Sequence, residues 1–73
     1  MKGGAGMDRE NVMSIGDRLR YARGDRSQAE VAEAVGLTTM AISKLETDQM
    51  KPSYETMQKL AIYFGLSVDR LFF

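Results

Sequence analysis

Helix-start and helix-stop residues alternate along this chain at intervals too short for anything but brief helices. Ser14, Ser27, Thr38, Ser53 and Ser67 each stand just before an apolar pattern of helical period, and Gly24, Gly36 and Gly65 each stand just after one. A Ser or Thr hydroxyl accepts an orphan amide of the first turn, and glycine enters the left-handed region that ends a helix without a Cβ penalty. This punctuation predicts an all-α fold of five short helices. The first is expected over Ile15 to Arg23, with Ile15, Leu19 and Ala22 on one stripe and Ser14–Asp17 as a weaker relative of the capping box. Ser27-Gln-Ala-Glu30 is the full box and opens the second helix, whose buried face is Val31, Ala32 and Val35. Thr38 caps a third helix with Ile42 and Leu45 inward. Asp48 to Pro52 reads as a loop. Ser53 caps a fourth helix expected to bury Tyr54, Met57, Leu60, Ala61 and Phe64, and Ser67 with Asp69 opens a last short helix carrying Val68 and Leu71.

Composition then narrows the function. The chain has 73 residues, enough for one modest core but not for a cleft between two lobes. It contains neither Cys nor His, so thiolate metal sites, the commonest general base and the commonest metal ligand are missing, and only scattered carboxylates and hydroxyls remain for any chemistry. No enzyme, metal, cofactor or small-molecule substrate is therefore expected. No apolar run approaches the roughly 18 residues of a membrane span, and Met1 to Gly6 lacks a signal peptide's apolar stretch, which predicts a cytoplasmic protein with no membrane partner. Residues 1–13 read as a flexible N-terminal arm or expression scar, with Met7 as an alternative start, and residues 14–73 as the folded domain. Ten basic residues balance ten acidic ones, which argues weakly against a nucleic-acid binder, yet Arg18, Arg20, Arg23 and Arg26 cluster within one short stretch.

The second helix, Gly36-Leu37-Thr38 and the third helix form two short helices joined by a glycine-containing turn. With Ile42 and Leu45 inward, Thr39, Met40, Ser43, Lys44 and Thr47 share the opposite face. A protruding polar helix fits the DNA major groove, where each base pair displays a distinct donor and acceptor pattern.

Three segments carry a family resemblance: IGDRLRYARGDRSQ, AEVAEAVGLTTMAISKLE and KPSYETMQKLAIYFGLSVDRLF. Together, over Ile15 to Phe72, they resemble the Cro-like and xenobiotic-response-element-type helix-turn-helix regulators, in particular phage-repressor DNA-binding domains. The resemblance implies a lambda-repressor-like fold that binds double-stranded operator DNA. It implies base contacts from Thr39, Met40, Ser43 and Lys44, and phosphate contacts from Gln28, Thr38 and Thr47. Lys51 is added as a phosphate candidate because it precedes Pro52. Arg23 and Glu46 resemble a family pair that links the first and third helices structurally. Two departures stand out. Asp48 replaces the usual glycine, so Asp48→Gly is expected to be neutral to stabilising, and Arg26 replaces a frequent leucine, so it either adds a phosphate contact or solvates its loop.

Ile62, Phe72 and Phe73 are expected to lie partly outside the core. They are candidates for a homodimer interface, since repressors of this family usually act as dimers on palindromic operators. The alternative is that a missing C-terminal segment covers them. Transcriptional repression is the expected function. A toxin-antitoxin or restriction-modification control regulator, or a domain used only for protein interaction, are the alternatives.

Overall fold

The computed structural model describes residues 13–73, so the expected arm lies outside the described residues except for Met13. Five helices follow in order: α1 (Ile15–Arg23), α2 (Gln28–Val35), α3 (Thr39–Glu46), α4 (Tyr54–Phe64) and α5 (Val68–Phe72). None of them is long and apolar enough to cross a membrane.

Each helix begins at the hydroxyl that the sequence marks. The side chains of Ser14, Ser27, Thr38, Ser53 and Ser67 accept the N–H groups of Asp17, Glu30, Ala41, Thr56 and Arg70 at 3.0 to 3.2 Å. The two capping boxes are the reverse of expectation. On α1 the box is complete, because Ser14 N–H also donates to the Asp17 carboxylate at 3.2 Å. On α2, Glu30 is exposed and returns no bond to Ser27 among the described residues. The Ser14 amide and the adjacent Arg20 guanidinium hold the Asp17 carboxyl below its ordinary pKa.

α2, α3 and α4 end alike. In each, the amide just after the left-handed residue reaches back by five: Leu37 N–H to Ala32 O, Gln49 N–H to Lys44 O and Leu66 N–H to Ala61 O, each at 2.9 Å. This Schellman closure needs one left-handed residue. Gly36 and Gly65 supply it with φ of 76° and 74°, and Asp48 supplies it after α3 with φ of 61°. The Asp48 side chain explains why a residue with a Cβ stands there. Its Oδ1 accepts the Gly16 N–H at 2.9 Å, an orphan donor in the first turn of α1. One residue thus ends α3 and helps begin α1.

That bond reverses the expectation for Asp48→Gly. Glycine relieves the left-handed Cβ penalty, worth roughly 1 kcal/mol, but loses a charge-assisted bond worth roughly 1.5–3 kcal/mol and leaves Gly16 without its acceptor. The expected melting order is wild type, then Asp48→Asn, then Asp48→Gly, then Asp48→Val. Asparagine keeps an acceptor and tolerates the left-handed region, whereas valine does neither. A glycine variant melting above wild type would mean that the Asp48–Gly16 bond contributes nothing.

The core gathers one stripe from every helix: Leu19; Val31, Ala32 and Val35; Ile42 and Leu45; Leu60 and Ala61; Leu71 and Phe72. Two side chains depart from expectation. Tyr54 is exposed, since it occupies the first position of α4, where the helix has not yet met the core. Phe72 is only 3% exposed and belongs to the core, whereas Phe73 is 75% exposed. The last turn of α5 carries Phe72 inward beside Leu71, so Phe72 is not available to a dimer interface.

Candidate nucleic-acid interface

α2 and α3 pack together through Val31, Ala32, Val35, Ile42 and Leu45, which consume every buried apolar side chain of the pair. Leu37, half-buried in the turn, packs against the same core. The outer face of α3 is thereby left without partners among the described residues. Thr39 and Lys44 are exposed, Ser43 is half-buried, and Met40 is 67% exposed despite its apolar side chain. The four candidate base contacts thus share one helix, and its Thr38 N-cap leaves first-turn amides directed outward.

The phosphate candidates are less uniform. Thr38 Oγ1 accepts the Ala41 N–H at 3.1 Å, which leaves its hydroxyl proton free to donate. Lys51 is exposed in the loop beside Asp48 and Met50. The Thr47 hydroxyl sits 3.0 Å from Ser43 O and 3.3 Å from Lys44 O, donating into its own helix, and accepts Gln49 Nε2 at 2.9 Å. It can reach a phosphate only by giving up that internal bond. Arg26 leans on the end of α4: its guanidinium lies 5.3 Å from the Tyr63 ring centroid and 5.5 Å from that of Phe64, and its Nη1 is 3.4 Å from Ala22 O. Resting against two aromatic rings, it packs where the resemblance expects leucine. The side chain stays exposed, so this packing goes beyond simple solvation of the loop and leaves guanidinium N–H groups able to meet a phosphate.

Gln28 opens α2 and is half-buried. Its Nε2 donates to Glu46 Oε1 at 3.0 Å. Glu46, only 3% exposed, also accepts Arg23 Nε at 2.7 Å and Arg23 Nη2 at 3.0 Å. The Glu46 hydrogen bond raises the Arg23 pKa above its ordinary value, and burial works against that rise only in part. One carboxylate thus joins α1, the start of α2 and the end of α3, the structural link expected of Arg23 and Glu46. Gly16 supports the same junction, because a Cβ built on it would lie 2.7 Å from Glu46 C and 2.9 Å from Leu45 O, with Glu46 O closer still. The sequence reading missed the Gln28–Glu46 bond, the Asp48–Gly16 bond and this close approach. All three join residues far apart in the chain, and only the isolated glycine inside a helical pattern gave any local sign.

A small helical domain in which two short helices joined by a turn share one apolar core, and the second offers its polar face outward, defines a class, the helix-turn-helix domains. The helix-turn-helix family profile matches residues 19–71, and the chain belongs to that family. It is 42% identical over 62 residues to the HTH-type transcriptional regulator PuuR of Escherichia coli (strain K12) and equally so to that of Shigella flexneri. Those alignments take in 82% of this chain but 34% of the regulators, so the chain spans about a third of their length. Among solved structures it resembles the P22 c2 repressor in complex with synthetic operator 9T, with TM-score 0.79 and 28% identity over 84% of this chain and 96% of that one. The solution structure of the DNA-binding domain of the same repressor gives TM-score 0.78 and 30% identity, over 84% and 83% of the two chains. The phage-repressor-type fold expected from the sequence is therefore the fold observed.

Proposed function

We propose that this domain binds double-stranded DNA in a sequence-specific way as the operator-reading part of a transcriptional regulator, with α3 in the major groove. The observation that carries this reading is the unpartnered outer face of α3. Thr39 and Lys44 can hydrogen-bond base edges, Ser43 can do so at closer range, and Met40 can meet a thymine methyl. Gln28, Thr38 and Lys51 flank that face as phosphate ligands, and Thr47 joins them if its internal bond exchanges. The likeness to a repressor solved on its operator and to HTH-type transcriptional regulators supports the reading. Binding to a palindromic operator as a homodimer, repression and a cytoplasmic location complete it, with Ile62 and Phe73 as the exposed apolar side chains available for self-association.

Selection from a random duplex pool is the direct test. A recovered palindrome supports the reading, and failure to enrich any duplex at low salt leaves a protein-interaction domain instead. On the selected site, Lys44→Ala is expected to cost ~1–3 kcal/mol and to relax preference at one base pair. Gln28→Ala is expected to weaken binding without altering the selected sequence. Uniform weakening by Lys44→Ala across all duplexes would move Lys44 to the phosphate ligands.

A further inference from the structure

Gln28 and Glu46 stand 18 positions apart in the chain, yet the Gln28 carboxamide is tied to a carboxylate that is almost wholly buried. A primary amide nitrogen carries two N–H groups. One of those on Gln28 is taken by Glu46 Oε1, and the other has no partner among the described hydrogen bonds. The Glu46 carboxylate also takes Arg23, whose Nε and Nη2 donate to its two oxygens. An exposed glutamine samples many rotamers, and ordering it at the moment of binding costs free energy that a pre-held side chain has already spent.

We propose that Glu46 is a positioning residue for the DNA backbone contact of Gln28: the buried carboxylate, itself fixed by Arg23, holds one Nε2–H so that the other is presented at the start of α2 to a phosphate. This inference rests on the DNA-binding reading above. It runs against simple electrostatics. Removing a carboxylate from a protein near DNA ordinarily strengthens binding and steepens its salt dependence, because one repulsive charge is gone. Positioning requires the opposite sign for Glu46→Gln, a loss of affinity with an unchanged salt slope, since Gln28 itself carries no charge and releases no counterion.

The test is a double-mutant cycle on the selected duplex, with circular dichroism confirming that each variant is folded. Gln28→Ala is expected to weaken binding roughly tenfold, the scale of one hydrogen bond to a charged group, and Glu46→Gln to weaken it by a similar factor. The double variant is expected to be no weaker than either single one, because Glu46 acts only through Gln28. Equal or tighter binding by Glu46→Gln, or losses that multiply in the double variant, overturns the proposal. A second measurement needs no substitution and covers the case in which Glu46→Gln does not fold. In the free wild-type domain, side-chain amide relaxation is expected to find the Gln28 Nε2 group ordered and that of the exposed Gln58 mobile, and equal mobility overturns the proposal. Failure of wild type to select any duplex removes the DNA reading and with it this inference. Selection by wild type with unaltered binding by Glu46→Gln removes the positioning role alone.

Discussion

Gly16→Ala is expected to destabilise the domain by ~3 kcal/mol, the upper end of overpacking costs, although alanine is the better helix former by roughly 0.5–1 kcal/mol and Gly16 lies within α1. The gain in propensity is local and small. The loss comes from the site where α1 rests on the end of α3, since the new Cβ would press on the carbonyl of Glu46 and stand 2.9 Å from the carbonyl oxygen of Leu45. These are backbone atoms, so no rotamer change relieves the contact and the helices must separate. Separation also stretches the Asp48 to Gly16 bond of 2.9 Å and the Arg23 to Glu46 bonds, which cross the same junction. For a domain of this size ~3 kcal/mol lowers the melting temperature by about 12 °C or more. Thermal melts decide it: a Gly16→Ala protein melting with or above wild type means that α1 does not approach α3 as described. Affinity for the selected duplex should fall with stability, because Glu46 and Gln28 share that junction.

Caps, helix limits and inward stripes were legible because each depends on neighbours within about four positions. Ser14, Ser27, Thr38, Ser53 and Ser67 announce their helices through bonds three residues long, and both glycine stops after α2 and α4 are equally local. The outer face of α3 was legible for the same reason, since the placement of Ile42 and Leu45 determines where Thr39, Met40 and Lys44 point. What sequence could not give was the traffic between helices. Asp48 reads locally as a poor substitute for glycine, and only its partner 32 residues away shows what its carboxylate does. Arg26 reads as a free charge until Tyr63 and Phe64 are placed beneath it. Glutamate at Glu30 matches the capping-box pattern better than aspartate at Asp17, yet the complete box is the one with aspartate. A pattern of residue types states which bonds are available, and tertiary surroundings decide which form.

Phe72 and Phe73 separate most sharply, and serine substitutions at the two positions are expected to have unlike effects. Phe72 is 3% exposed and sits with Leu71 in the core, so Phe72→Ser removes a buried ring and leaves a hydroxyl in its cavity. Truncation of a buried phenylalanine costs roughly 3–5 kcal/mol. Domains of this length have a total stability of roughly 4–11 kcal/mol at ~0.05–0.15 kcal/mol per residue, so this one change consumes a large share of it. Phe72→Ser is expected to lose helicity near room temperature or to melt far below wild type, and to lose DNA binding as a consequence. Phe73→Ser acts on a side chain 75% exposed and is expected to change stability by no more than ~0.5 kcal/mol. Any loss of affinity it causes must come through self-association, and sedimentation reads that directly. A shift towards monomer with unchanged melting places Phe73 in the dimer interface. Wild type and Phe73→Ser sedimenting alike and binding the selected duplex equally well removes Phe73 from it and leaves Ile62, 78% exposed in the groove between α2 and α4, as the remaining apolar candidate.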